Sequence, residues 1–546
     1  MKKIYTKILC LSVACSFVAC DDFLSEYSQD MTVLSEVSHC DELLLGSIYV
    51  PNFLVYNPSG TTSCGFFNIL DDDISSAKGG DGASSVIPYN INECVNVNFG
   101  YYAWQPEVGM KHDGNRNDDH ATWNDLYKRI NYVNVLLDEM TEIPHETEKD
   151  DAAYYRVQGE AHFLRGQFYF ILANLYGKPY HASTCAKELC VPLKLTPYVE
   201  HDNEKDTQFQ RATVKEIYDQ VVADLTMAAE CLTKSPQNSR NRFHRASAEA
   251  ANLLLSRVYL YMQEWEKADA AANEVIKSKN FRLAGLNHFE STEFLSKENP
   301  EVIFSQGQNN LPLSDGNGET AYTPLSGYAG SYCVAMDLVR LYDLENDKRA
   351  NFFGIAGPGF QQGRCDSIAL VYKFDARQNS TARYSDVFGM RLSEAYLNRM
   401  EACAMQNDAT TANDLLNELR SNRIDNYVDE TYAGEELVNQ IRDERRKELC
   451  FEGHRWFDLR RYSVNDTYPY SKPIVHVMNV VNSKGYNTKT QTYVLEPGDD
   501  AYTFAIPAKV LEFDKVSMGT NNRPKRQSLE ELNPDEGGSG PNLPRD

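Results

Sequence analysis

Apolar residues recur at helical spacing through three long stretches of the chain. Residues 122–140 and 151–176 each carry an apolar stripe with the period of an α-helix. The second stretch ends at Gly177, a residue type that commonly follows the last turn of a helix. A third stretch begins with Thr213-x-x-Glu216, the sequence of a capping box. We therefore predict three long amphipathic helices.

A shorter unit of two helices occurs next and then returns. The pattern Trp265-x-x-Ala268-x-x-x-Ala272 follows an apolar helical stretch, and the whole is similar to a tetratricopeptide helix–turn–helix. Its small alanines allow two helices to approach closely. The layout returns at residues 392–419, and residues 435–450 supply another helix. We predict about four helix pairs, within residues 122–280 and 385–452; the alternative is four unrelated helical hairpins.

Two long segments between these helices lack helical periodicity. They span about 51–120 and 281–384, and the second is rich in Gly, Asn, Ser and Tyr. Long structured loops of this kind usually carry function. We expect one mainly α domain over residues 20–546, with loop-rich insertions that contain short strands. The tail, residues 533–546, is expected to be flexible.

The N-terminus has the composition of a secretion signal. Basic residues precede an uncharged stretch, Ile8–Ala19, which is too short to span a bilayer. Small residues then lead into Cys20, as in the lipobox of bacterial lipoproteins, where the cysteine thiol is acylated. We predict that residues 1–19 are removed and that Cys20 carries lipid. The alternative is an ordinary secreted protein in which Cys20 has no such role.

Composition and charge narrow the class of protein. The chain has 546 residues, of which 42% are hydrophobic, as in globular proteins. Its 78 acidic and 54 basic residues give a net charge of −24, which disfavours nucleic acid as a partner. No cysteine pair has the Cys-x-x-Cys spacing of zinc or redox sites, although Cys185 and Cys190 are near enough to pair.

Residues 448–462 carry the most distinctive motif of the chain. They read Glu-Leu-Cys-Phe-Glu-Gly-His-Arg-Trp-Phe-Asp-Leu-Arg-Arg-Tyr, and several other motifs accompany them in order. These are Cys20-Asp-Asp-Phe-Leu, Ala161-x-Phe-Leu-Arg-Gly, Asp347-Lys-Arg349, Arg391-x-x-Glu394 and Leu419-Arg-x-x-Arg423. Together they resemble the SusD/RagB family of nutrient-binding lipoproteins of Bacteroidetes. Gly166, where the family more often has Ala, and the lack of Pro directly after Gly177 are minor departures.

The resemblance implies a SusD-like fold and a function at the cell surface. Members capture glycans, and some capture peptides, for a SusC-like TonB-dependent transporter in the outer membrane. The density of Arg and Glu in the motif suits a network of charge-assisted hydrogen bonds, so we interpret it as scaffold rather than as a catalytic site. Glycan capture without catalysis is the leading hypothesis. Peptide capture, a glycoside hydrolase and a protein-binding scaffold are the alternatives.

Aromatic and acidic side chains in the insertions are the candidate ligand contacts. A sugar needs an aromatic face for its C–H side and polar groups for its hydroxyls. Trp104 lies with Tyr101 and Tyr102 in an aromatic cluster, and local packing is the competing explanation for all three. Asp72, between Asp71 and Asp73, is a candidate for binding hydroxyls, against a solvated turn. Candidates in the second insertion are Tyr322, Tyr328 and Tyr332.

One pattern raises the question of calcium. Asp113-x-Asn115-x-Asn117 matches the first ligand positions of a calcium loop, but Asp118 stands where the loop needs Gly. A regular EF-hand is therefore excluded, and we expect no metal or cofactor, with an irregular calcium site near Asp113 as the alternative. The overall acidity also disfavours acidic glycans as ligands, unless a local basic patch exists.

Overall fold

The computed structural model describes most of the chain between Leu34 and Leu532. The described residues are 34–49, 66–76, 96, 98–117, 119–197, 209–235, 243–289, 294, 299–306, 332–355, 368–370, 373, 389–481, 487–514, 518–529 and 531–532. Cys20, Tyr322, Tyr328 and the tail 533–546 therefore lie outside the described residues.

The fold is mainly helical, as the sequence predicts. The α-helices are α1 Val37–Leu43, α2 Phe99–Tyr102, α3 Ala121–Met140, α4 Glu148–Tyr176, α5 Val214–Lys234, α6 Ala248–Met262, α7 Trp265–Ile276, α8 Met336–Val339, α9 Leu392–Met405, α10 Ala409–Ser421, α11 Gly434–Leu449, α12 Arg455–Ser463 and α13 Ala508–Phe513. A π-helical turn, Leu44–Ile48, continues α1.

Helix ends follow the chemistry of their sequences. The Thr213 hydroxyl accepts from the backbone N–H of Glu216, and the Glu216 carboxylate accepts from the backbone N–H of Thr213, so the predicted capping box forms. Helices α6 and α7 are joined by two residues, of which Gln263 has a left-handed φ of 61°. Helices α9 and α10 are joined by three residues, of which Asn407 has a left-handed φ of 62°.

Two glycines allow α4 and α5 to pack closely. A Cβ atom at Gly159 would lie 2.8 Å from Cγ of Leu232, and one at Gly166 would lie 3.0 Å from Cγ of Leu225. Contacts this short are tighter than packed side chains accept, so the glycines set the distance between the helices. Gly166, the departure from the family sequence, is thus part of a close helix contact.

The strands of the described residues are short and form four small sheets. They are β1 Ile74–Ser76, β2 Leu189–Pro192, β3 Arg211–Thr213, β4 Val302–Phe304, β5 Tyr332–Val334, β6 Phe353–Ile355, β7 Ile368–Leu370, β8 Met390–Arg391, β9 Ile474–Val481, β10 Asn487–Leu495 and β11 Glu531–Leu532. The sheet with order β1-β5-β7-β6 draws its strands from both insertions, and the others are β11-β10-β9, β2-β3 and β4-β8.

The antiparallel pair β9–β10 is the longest stretch of sheet among the described residues. It pairs Ile474 with Leu495 at one end and Val481 with Asn487 at the other. This pair was not predicted from the sequence. Within the described residues, no helix is both long enough and apolar enough to cross a bilayer.

The two cysteines that lie close in sequence remain apart as thiols. Cys185 and Cys190 are both free and buried, and Cys190 belongs to β2. Burial raises the pKa of the Cys190 thiol to about 12. Cys190 therefore acts as a small core residue between β2 and the end of α4, where its Sγ would lie 2.8 Å from a Cβ at Gly177.

Candidate functional site

Trp104 and Tyr102, the leading candidates for a sugar platform, are core residues. Both are fully buried. The Trp104 indole N–H donates to the backbone O of Leu70 over 2.9 Å, and the Tyr102 hydroxyl donates to the backbone O of Val477 over 2.9 Å. Each ring stacks on the imidazole of His476, with ring centroids 4.3 Å apart. Because neither ring has an exposed face, local packing explains both residues better than contact with a sugar.

Tyr101 is only partly buried, but one face of its ring is already covered. The ring stacks on Phe66 with a centroid distance of 4.2 Å and an angle of 12° between the planes. The stack forms part of the contact between α2 and the segment before β1. Tyr101 therefore helps to fix the aromatic cluster in place.

The acidic triplet before β1 is occupied by ion pairs. Asp72 accepts two hydrogen bonds from Arg455, over 2.7 and 2.9 Å, and also pairs with Lys472. Asp73 accepts from Arg446 over 2.7 Å. Asp72 therefore holds the scaffold together and does not present a free carboxylate to sugar hydroxyls.

Burial and neighbouring charges give these carboxyls opposite pKa shifts. Burial, together with the charges of Asp73 and Asp72, raises the pKa of Asp71 well above its usual range. Burial also acts to raise the pKa of Asp72, but the charges of Arg455 and Arg446 outweigh it and hold that pKa well below its usual range. Among the described residues, this triplet is the one group of three acidic, His or Cys side chains close enough to hold a metal ion. Arginines already supply its positive charge.

The turn that suggested calcium is closed by its own hydrogen bonds. Asp113 accepts from the backbone N–H of Asn115 over 2.8 Å, and Gly114 has a left-handed φ of 87°. The bridge between Met110 and Arg116 closes the turn. The described residues of this pattern thus form a tight hairpin turn, while Asp118 is not among them. Tyr332 starts β5, and its side chain is not described either.

The motif at residues 448–462 forms a buried network of charges. Arg423 donates to both oxygens of Glu448, over 2.8 and 3.0 Å, and Arg391 donates to both oxygens of Glu452, each over 2.9 Å. Lys373, from the second insertion, pairs with Glu452 at 2.8 Å. Burial opposes ionisation, yet Arg423 and Arg391 hold the pKa of Glu448 well below its usual range. These carboxylates are therefore fixed structural anions.

A cavity of about 560 Å³ lies elsewhere, between α3 and the C-terminal part of the chain. This volume is typical of ligand sites. One wall is a single face of α3 and its N-cap, another follows β2, and the third is α13 with the residues after it. The lining residues are His120, Trp123, Asn124, Tyr127, Lys128, Asn131, Pro192, Lys194, Pro197, Phe209, Lys509, Val510, Phe513, Asp514 and Met518.

Hydrogen bonds fix the wall that follows β2. The Tyr127 hydroxyl donates to the backbone O of Pro192 over 2.6 Å, which ties α3 to β2. The Tyr169 hydroxyl donates to the backbone O of Lys194 over 2.7 Å and accepts from its N–H over 2.8 Å. Asn134 donates to the same carbonyl over 3.1 Å. The backbone of Lys194 is therefore held firmly against α3 and α4.

The lining combines aromatic rings with side-chain amides. Phe513 is 70% exposed at the end of α13, an unusual position for so large an apolar ring. Asn124 and Asn131, two turns apart on α3, offer both donors and acceptors. Rings that cover C–H groups and amides that bind hydroxyls are the groups that a saccharide requires.

The titratable groups of the cavity are affected by burial. Burial, aided by the charge of Lys509, lowers the pKa of His120, so the imidazole is neutral near pH 7. Burial also lowers the pKa of Lys194, from a value far above neutrality. Sequence reasoning missed this site because Trp123 and Tyr127 sit on the apolar stripe of α3. Nothing in the sequence around Phe209 and Phe513 indicates that these residues line the same cavity as that helix.

Comparisons with known proteins agree with this architecture. A SusD-like family model, described as starch-binding associating with outer membrane, matches residues 76–260, and the SusD family model matches residues 356–515. The SusD-like protein P38 of Formosa agariphila is 24% identical over 399 residues, which are 63% of this chain and 72% of that protein.

Solved structures share the fold at low sequence identity. A SusD-like carbohydrate binding protein from Bacteroides vulgatus is 18% identical with a TM-score of 0.62, covering 89% of this chain and 98% of that chain. A laminarin binding SusD-like protein is 20% identical with a TM-score of 0.52, covering 78% and 90%. The chain belongs to the SusD/RagB family, a carbohydrate-binding family associated with the outer membrane. The resemblance seen in its motifs is confirmed.

Proposed function

We propose that this protein captures an oligosaccharide at the cell surface and delivers it to a SusC-like TonB-dependent transporter without breaking a bond. The observation that carries the proposal is the cavity of about 560 Å³, with Phe513 at its rim and two asparagines on one wall. The laminarin bound by a relative of the same fold supports a glycan as the ligand class. The binding energy would come from ring stacking and from hydrogen bonds to hydroxyls.

The lining supports binding rather than hydrolysis. Glycoside hydrolysis generally needs two carboxyl groups facing one bond, one of them as acid and the other as base or nucleophile. Asp514 is the one carboxylate among the lining residues of the cavity, and it is buried. Glu448 and Glu452 are held as anions by arginines, which prevents either from acting as a general acid.

Surface location is proposed from the N-terminal sequence together with the family. Acylation of Cys20 would anchor the mature chain in the outer membrane, and more than one acyl chain makes such anchoring stable. Metabolic labelling with a radioactive fatty acid tests this claim. The wild-type protein should incorporate label, and Cys20→Ala should not; equal labelling of both would rule out Cys20 as the lipid site.

The test of ligand binding starts from the purified mature protein on a glycan array, followed by calorimetry with the glycan that binds best. We expect Phe513→Ala to weaken binding about tenfold, because one stacked ring contributes about 1–1.5 kcal/mol. Leu344→Ala is the matched control: its side chain is 65% exposed and does not line the cavity. Its affinity should equal that of the wild type.

Three outcomes would count against the proposal. Release of reducing sugar from the bound glycan would show catalysis. Binding of peptides and of no glycan would favour peptide capture by the same architecture. An equal loss of affinity in Phe513→Ala and Leu344→Ala would show that the glycan does not bind in the cavity.

A further inference from the structure

The segment between α13 and β11 turns one arginine into the protein. Among residues 519–529, Arg523 is the one buried residue, and its neighbours Asn522 and Pro524 are exposed. Only 6% of the surface of Arg523 is accessible to solvent. A guanidinium group is seldom buried to this extent unless a carboxylate or another acceptor binds it. The surroundings of Arg523 therefore decide what its charge does.

Hydrogen bonds on both sides of this arginine hold the segment in place. The Asn521 amide donates to the backbone O of Tyr176 and of Phe504, each over 2.7 Å. On the other side, the Gln105 amide donates to the backbone O of Arg526 over 2.9 Å. Because the backbone is fixed at both positions, the guanidinium between them stays directed inward.

The guanidinium of Arg523 has no hydrogen-bond acceptor among the described residues. Its Nε, Nη1 and Nη2 atoms are all buried, and none of them is bonded there. The ring of Phe504 covers one face of the group, with its centroid 4.6 Å from Cζ. A ring in that position attracts the cation but accepts none of the N–H groups, which point outward in the guanidinium plane.

The neighbouring charges do not balance this cation. Burial is the largest effect on Arg523 and, with the charge of Arg526, lowers its pKa to about 9, so the group remains charged at pH 7. Asp499 acts in the opposite sense, but it is already bound: one oxygen accepts from Arg526 over 2.7 Å and the other from a backbone N–H over 2.8 Å. Tyr101 and Tyr176 also act on the group, and phenols are uncharged near pH 7.

Two arginines and one aspartate thus leave one positive charge in excess in this part of the core. We propose that Arg523, together with Arg526, binds a small monovalent inorganic anion of the chloride type. Nε of Arg526 is likewise buried without an acceptor among the described residues, so both side chains offer donors. A water molecule would accept hydrogen bonds but leave the charge unpaired, whereas a monovalent anion satisfies both. A divalent anion would exceed the charge to be balanced.

The anion would stabilise the structure behind the cavity wall. The ring of Phe504, which covers Arg523, lies 6.2 Å from the ring of Tyr176 between centroids. Tyr176 in turn packs edge-on against Trp123, a lining residue of the cavity, at 5.0 Å. The site is therefore separate from the cavity, and the inference does not depend on the ligand that the cavity takes.

Thermal unfolding of the purified mature protein in two salts tests the inference. Sodium chloride is compared with sodium gluconate at the same concentration, because gluconate carries the same charge on a much larger ion. An anion that binds only the folded state raises the midpoint of unfolding. We expect the midpoint of the wild type to be about 2 °C higher in chloride.

Charge-matched variants locate the effect. Arg523→Met replaces the buried cation with an apolar side chain, and its midpoint should be the same in both salts. In gluconate it should be at least as stable as the wild type, since an apolar group of similar volume can replace a buried charge without loss. The control is Arg340→Met, which removes an exposed arginine that pairs with Asp337 at 3.6 Å. The control should keep the wild-type difference between the salts.

Wild-type crystals soaked in sodium bromide give a second readout that does not require any variant to fold. We expect an anomalous peak within hydrogen-bond distance of the Arg523 guanidinium. Bromide found only at other positions would overturn the inference, and so would a difference between the salts that persists in Arg523→Met. Water molecules would then be the partners of Arg523. Either result would leave the proposal of glycan capture as it stands.

Discussion

Trp104 shows how strongly a single position can depend on distant parts of the chain. Its backbone has a left-handed φ of 48°, uncommon for a residue with a bulky side chain. That conformation turns the indole into the core, where it stacks on His476 and donates to Leu70. The imidazole also contacts the backbone O of Tyr102 and of Asp71, each at 2.7 Å. This cluster joins the first insertion to β9.

We therefore predict a stability effect rather than a binding effect for Trp104→Ala. Removing a fully buried Trp leaves a cavity and an unpaired carbonyl, which should lower the free energy of unfolding by about 3–5 kcal/mol. Urea denaturation of the purified variant measures this loss. Phe513→Ala, which removes an exposed ring, should stay within about 0.5 kcal/mol of wild type. If Trp104→Ala were as stable as the wild type, the conclusion that Trp104 is a core residue would be wrong.

The aromatic segment could be recognised from the sequence, but its environment could not. The run of Tyr101, Tyr102 and Trp104 has the composition of a sugar platform and equally that of a packed cluster. His476, the group that decides between the two, lies more than 370 residues away in the chain. Phe513 has no recognisable motif around it in the sequence, yet its side chain lies at the rim of a cavity.

At the level of elements, the end of α11 fastens the second insertion to the helical body. Glu448 accepts from Arg349 over 2.8 Å and from Arg391 and Arg423. Arg349 belongs to a short 3₁₀ helix, Lys348–Phe352, Arg391 ends β8, and Arg423 follows α10. Each buried charge has a partner, so the network is satisfied only when all of these elements are in place. Glu448 and Glu452 of the motif at residues 448–462 are thus the anions that gather arginines from distant parts of the chain.

We predict that Glu448→Gln destabilises the fold by about 3–5 kcal/mol, since it leaves buried arginines without a full counter-charge. Glu435→Gln, in the exposed first turn of α11, is the control and should cost less than about 0.5 kcal/mol. Urea denaturation compares the two at neutral pH. If Glu448→Gln were as stable as Glu435→Gln, solvent would have to screen the charges of the buried network.

Elements differ in how far the sequence predicts them. The long helices α3, α4 and α5 follow from apolar periodicity, and the capping box at Thr213 places the start of α5 correctly. The strands β1, β5, β6 and β7 are three residues each, too short to show alternation. Their pairing joins positions as distant as Ile74 and Val334, which no local pattern encodes.

For the whole molecule, the net charge conceals how the charged side chains are distributed. The core contains ion pairs such as Arg257 with Glu394 and Arg461 with Glu401. A net charge of −24 constrains solubility and long-range repulsion, but only the fold determines which charges are paired in the core.

The buried cations also make the stability of the molecule depend on pH through His454. Burial, together with the charges of Arg257, Arg445, Arg391 and Lys373, holds the pKa of His454 well below its usual range. Arg445 lies 3.3 Å from Nδ1, so that nitrogen accepts and the ring is neutral. In the unfolded chain the same imidazole takes up a proton below about pH 6.5.

Because the unfolded state then binds one more proton than the folded state, stability is complete above about pH 6.5 and falls as the pH is lowered. We predict that the free energy of unfolding of wild type falls, between about pH 7.5 and about pH 5.5, by about 1.4 kcal/mol more than that of His454→Asn. Asparagine can accept from Arg445 and cannot titrate. Urea denaturation of both proteins at the two pH values gives the difference, and parallel falls would show that His454 is protonated in the folded state as readily as in the unfolded chain.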